Sequence, residues 1–159
     1  MCGVLLAAIM AVHQEAHAAD RFKPFKLKTV EGAERSLNDV LGKATLVVFF
    51  FPSCPFCKAA LPEIQTIYDA YHEHGLSVVF INAVPDENDL IPAWRAAHRY
   101  TVPILLGTEK VQRDYRVVAT PTHVLLDSTG RILSKRVGYR QGDEQRLRLD
   151  IQRALGLTP

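Results

Sequence analysis

The chain has 159 residues, 48% of them apolar and 23% charged, and a formal charge of +2 at pH 7. That length suits one domain with a real core. Lys and Arg are scattered rather than gathered into a basic stripe, which argues against a nucleic-acid partner.

The N-terminus differs from the rest. Gly3 to Val12 is a short apolar run, and Ala16-His17-Ala18 is a small-x-small site. Residues 1–18 therefore read as a secretory signal peptide, although no Lys or Arg precedes Arg21. The run is too short to cross a bilayer, which takes about 20 residues. Cleavage would remove Cys2 and leave a periplasmic protein with no stable membrane span. An uncleaved signal would leave the protein membrane-tethered. Residues 22–157 form the expected folded domain.

Phe25 to Thr29 alternates as a short strand, Glu31-Gly32 turns the chain, and Ser36 starts a helical turn that Gly42 ends. Ala44 to Phe51 is a run of β-branched and aromatic residues, the pattern of a buried strand. It stops at Pro52-Ser53, and Cys54-Pro55-Phe56-Cys57 follows. Ala60, Ile64, Ile67, Tyr68 and Tyr71 then share one helical face. Cys54 thus stands at a helix N-terminus, where free N–H groups and the helix dipole favour a thiolate. Cys57, one turn on, is within disulfide reach. The pair reads as a redox dithiol.

Gly75 is a helix stop, and Leu76 to Asn82 is a second apolar strand of the length found in parallel sheets. Asp86 to Tyr100 reads as one helix with Ile91, Trp94, Ala97 and His98 on its apolar side. Val102 to Leu106 reads as a strand and Val111 to Tyr115 as a helical turn. Thr122 to Leu126 and Ile132 to Val137 flank Asp127-Ser128-Thr129-Gly130 as a hairpin. A last amphipathic helix carries Leu147, Ile151, Ala154 and Leu155. This order predicts an α/β fold: a mixed central sheet with helices on both faces.

Phe51 to Lys58 with Pro62, and Ala119-Thr120-Pro121-Thr122 before Val124 to Asp127, together resemble the thioredoxin superfamily. Within it, the long insert Ala83 to Ala119 resembles the TlpA/ResA-like periplasmic thiol–disulfide oxidoreductases. The resemblance implies a thioredoxin-like fold and no cofactor. It also implies a cis Thr120–Pro121 bond beside the dithiol. Cys54 would be the nucleophile and Cys57 the resolving thiol. Thr120 and Pro121 would contact an incoming peptide strand. Phe56 reads either as a further substrate contact or as the hydrophobic lid of the motif helix. Implied partners are disulfides or dithiols of exported proteins and a membrane thiol reductant, in the setting of cytochrome c or oxidase maturation.

Three positions depart from that family's usual pattern. Ser53 stands where Trp usually precedes the first cysteine, Val48 where thioredoxin has a buried acid, and Ala60 where ResA-like proteins often have Glu. An acid of the insert, Asp86 or Glu87, is the remaining protein candidate for proton transfer with Cys57.

Other chemistries fit less well. Structural zinc needs two more ligands than Cys54 and Cys57 supply, and His72 and His74 sit at the far end of the same helix. No metal site is therefore expected. Haem attachment needs His where Lys58 stands. Pro52-Ser53-Cys54 is too short for the peroxiredoxin pattern. Two alternatives stay open. One is a copper-delivery module using Cys54, Cys57 and a histidine such as His123. The other is a dithiol oxidase running the same exchange in reverse.

Overall fold

The structure, a computed structural model, describes residues 21–158; the segment read as a signal peptide, with Cys2, lies outside them. Its centre is the apolar run, now strand β3 (Ala44–Phe50), in which all seven residues are buried. Burial on both faces follows from its neighbours. Parallel to it lies β4 (Leu76–Asn82), in register from Ala44↔Leu76 to Phe50↔Asn82. Antiparallel on the other side is β6 (Thr122–Asp127), which pairs in turn with β7 (Ile132–Val137) as a hairpin. A two-residue strand β5 (Ile104–Leu105) closes the far edge, giving the order β5-β4-β3-β6-β7. Upstream, β1 (Lys26–Lys28) and β2 (Glu34–Ser36) form a separate two-stranded ribbon leading to α1 (Leu37–Val40).

Alternate residues of β3 feed two cores. Leu46, Val48 and Phe50 pack with Leu61, Ile64 and Ile67 of α2 (Pro55–Tyr71), and with Leu147 and Ile151 of α5 (Asp143–Leu155). Val47 and Phe49 face the other way, onto Phe22, Phe25 and Leu37, and onto Val111 of α4 (Glu109–Tyr115). The expected mixed sheet with helices on both faces is what forms. Gly75 ends the segment after α2 at φ +104, a conformation L side chains rarely adopt. Among the described residues no helix is long and apolar enough to cross a membrane.

The insert departs from its sequence reading. Residues 86–100 are not one helix but a 3₁₀ turn (Pro85–Leu90) followed by a short α3 (Ile91–His98). Pro92 lacks the N–H that would continue a helix from the preceding turn, so α3 starts afresh there. Arg99 then closes it at φ +55 after only two turns. Of the four residues assigned to its apolar side, Ile91 and Trp94 are buried while Ala97 and His98 are exposed. Residues 102–106 shrink to β5. The Pro103 carbonyl accepts from Phe80 N, and Leu106 N turns away to the Lys28 carbonyl at 2.8 Å.

Candidate active site

β3 ends at Phe50, and the Phe51-Pro52-Ser53 turn is closed by Cys54 N–H donating to the Phe51 carbonyl at 3.1 Å. Cys54 is then the N-cap of α2, and Pro55 takes a first-turn position that needs no amide donor. The Cys57 N–H donates to the Cys54 sulfur at 3.2 Å. A helix N-terminus therefore holds this sulfur where free amides and the dipole favour negative charge.

A second donor arrives from 66 residues away. The Thr120 hydroxyl donates to Cys54 Sγ at 3.2 Å, and the Thr120 carbonyl lies 3.7 Å from the same atom. The Thr120–Pro121 bond is cis and leads directly into β6. The sheet order makes this meeting possible: β6 lies next to β3, so the start of one faces the end of the other. Both cysteines are free thiols and both are buried, Cys54 at 2% and Cys57 at 1% exposure. Their surroundings differ. Burial, then the neighbouring Cys54 sulfur, pushes the Cys57 thiol far above its ordinary range. Phe56, between them, is 63% exposed. It lines an open groove of about 510 Å³ with Thr120, Val137, Tyr139 and Arg140.

The positions lacking an acid have a specific neighbour. Val48 pairs directly across the sheet with His123, and Ala60 and His123 line one small pocket beside α2. His123 is 6% exposed, and its Nε2 has no hydrogen-bond partner. Burial pulls its pKa down to about 4, so the ring is neutral. It is a packed residue of the sheet. Among the described residues no three His, Cys, Asp or Glu side chains come together as a metal site, and His123 does not join Cys54 and Cys57 in one. His72 bonds its own helix carbonyls, and His98 the Trp94 carbonyl.

Of the insert acids, Asp86 is exposed and has no bond to the dithiol loop, whereas Glu87 accepts from both Ser53 N and Ser53 Oγ. Sequence reasoning named Glu87 for the wrong place: it reaches the residue before Cys54. Tyr100 was missed. Its buried ring packs in the Trp94 cluster, and burial, then the Cys57 charge, pushes its hydroxyl up to about 12. No local pattern around Tyr100 marks it as a neighbour of the dithiol.

The family model described as AhpC/TSA matches residues 18–135. The chain belongs to the AhpC/TSA family. Within it, the chain is a thioredoxin-like thiol–disulfide oxidoreductase of the TlpA/ResA kind. It is 29% identical over 143 residues to sporulation thiol–disulfide oxidoreductase A of Bacillus subtilis, covering 85% of this chain and 86% of that one. It is 26% identical to thiol–disulfide oxidoreductase ResA of Halalkalibacterium halodurans, covering 77% and 70%. A crystal structure from Chlorobium tepidum, described as a thiol:disulfide interchange protein DsbE, superposes with a TM-score of 0.79 at 26% identity. The match covers 87% of this AhpC/TSA chain and 97% of that one.

Proposed function

We propose that this protein reduces disulfides in exported proteins, with Cys54 as nucleophile and Cys57 as resolving thiol. The observation that supports the assignment of roles is that two donors, Cys57 N–H and Thr120 Oγ–H, converge on the Cys54 sulfur, while burial pushes the Cys57 thiol up. Cys54 thiolate attacks one sulfur of the substrate disulfide, forming a mixed disulfide and releasing the other sulfur as a thiolate. Cys57 then gives up its proton and attacks the Cys54 sulfur. The substrate leaves as a dithiol, and Cys54–Cys57 becomes the disulfide. Two electrons and two protons have passed to the substrate. A membrane thiol donor returns them, as cytochrome c or oxidase maturation would require.

The substrate chain lies against Thr120 and cis-Pro121 in an extended conformation, with an apolar side chain on exposed Phe56. Residues 1–18 act as the export signal and residues 22–157 as the working domain in the periplasm.

Equilibration of the dithiol against glutathione at neutral pH tests the direction. A potential near −270 mV, as in thioredoxin, is the expected result. A value near −120 mV, as in strongly oxidising family members, would make the protein a dithiol oxidase and overturn the reductive reading.

A further inference from the structure

The Glu87 carboxylate is held against the backbone one residue before the nucleophile. Its Oε2 accepts the Ser53 N–H at 2.9 Å and its Oε1 accepts the Ser53 hydroxyl at 2.6 Å. A two-point grip of this kind fixes both position and orientation. Ser53 is the residue that departs from the tryptophan usual in the resembled family, and its short hydroxyl supplies half of the grip.

Glu87 is itself placed by a buried network. It lies in the 3₁₀ turn Pro85–Leu90, after β4, and Asn82 at the end of β4 is fully buried. The Asn82 amide donates to the Val84 carbonyl at 2.7 Å and to Asn88 Oδ1 at 2.9 Å. Asn88 in turn donates to the Gly107 carbonyl and accepts from its N–H. A Cβ at Gly107 would stand 1.9 Å from the Asn82 carbonyl oxygen, so only glycine permits this approach. Asn82 is the register partner of Phe50, so the loops after β3 and β4 leave the sheet side by side. The insert and the dithiol loop are tied together at that edge.

From this geometry we propose that Glu87 is a positioning residue for Cys54. It braces the loop that presents the sulfur, and its fixed negative charge makes the dithiol more reducing. The inference rests on the exchange reaction proposed above. The helix N-terminus favours negative charge on the Cys54 sulfur and so stabilises the reduced form. A carboxylate held nearby opposes that charge and destabilises the reduced form. Glu87 is half-buried at the surface, so the effect is modest and falls with salt.

The test uses the full chain and three measurements: the dithiol–glutathione equilibrium, its dependence on ionic strength, and thermal stability. Glu87→Gln keeps the side-chain length and a carbonyl acceptor for Ser53 but removes the charge. It is expected to shift the equilibrium about threefold toward the dithiol, ~15 mV at about 30 mV per tenfold. Wild type should move the same way when salt is raised from about 0.01 M to 1 M, and the variant much less. Ser53→Ala loosens the carboxylate from the other side and should give a smaller shift of the same sign, which keeps the inference testable if Glu87→Gln fails to fold.

If the potential and its salt dependence match wild type while only thermal stability falls, Glu87 is a structural brace and the charge role is wrong. A shift toward the disulfide overturns it as well. Wild-type protein that does not exchange with glutathione at all would instead remove the proposed function, and this inference with it.

Discussion

Cys57→Ser is expected to turn the protein into a trap. The mixed disulfide with substrate should accumulate while turnover falls at least ~10³-fold. The resolving thiol is covalently one helical turn from the sulfur it attacks, and a well-placed intramolecular group acts at an effective concentration of about 10⁵ M or more. An external thiol cannot match that. Cys54→Ser should form no mixed disulfide, because burial pushes the Cys57 thiol far up and away from the thiolate form that attacks. Non-reducing electrophoresis or intact mass after mixing with a disulfide substrate reads both variants. A trapped adduct in Cys54→Ser but not in Cys57→Ser would reverse the two roles.

The raised thiol also predicts a pH dependence. Only deprotonated Cys57 attacks, so single-turnover resolution in wild type should rise about tenfold per pH unit through the neutral and mildly alkaline range. A flat profile would mean that a neighbouring base takes the proton.

Protein stability should fall by about 3 kcal/mol as pH drops from 6.5 to 4, with His123 as the cause. The neutral ring is favoured in the folded state, where burial, the largest influence, pulls its pKa from 6.5 to about 4. The unfolded chain therefore binds more protons between those values, and stability rises with pH across the window. The contribution is complete above pH 6.5 and lost as pH falls toward 4, at ~1.4 kcal/mol per unit.

Charged and titratable neighbours from each packed element line the pocket: Glu63 from α2, Arg136 from β7, and Tyr139, Asp143 and Glu144 before and within α5. Carboxylates held below their usual range act at lower pH. Glu31 beside Arg95, Asp39 at the Ser36 backbone and Asp114 beside Lys110 lose their contributions only below about pH 4.5. His123→Leu keeps the volume and removes a buried nitrogen that has no partner. Denaturant unfolding of that variant should be nearly flat between pH 6.5 and 4.5, with disulfide exchange retained. A slope equal to wild type would place the proton elsewhere.

The central strand, the motif helix, the second strand and the β6–β7 hairpin were all legible in the sequence. Each is specified by local signals: a continuous apolar run, a 3.6-residue stripe, or a polar turn between two apolar segments. The insert was misread because a 3.6-residue pattern from Asp86 to Tyr100 gives no weight to Pro92, nor to the Asn82–Asn88–Gly107 bonds that hold the preceding turn in another form. β2 went unread because Glu34-Arg35-Ser36 has no apolar alternation; it forms by pairing with β1.

By itself the sequence determined the strand-to-helix handover that puts Cys54 at an N-terminus, since that depends only on neighbouring residues and backbone chemistry. Tertiary structure alone decided what surrounds the sulfur. Thr120 reaches it because β6 pairs beside β3, and Glu87 grips Ser53 because β3 and β4 run parallel and end together. His123 faces Val48 for the same kind of reason, through cross-strand register. Contacts between residues dozens of positions apart are set by sheet order and register, and no local pattern along the chain encodes either one.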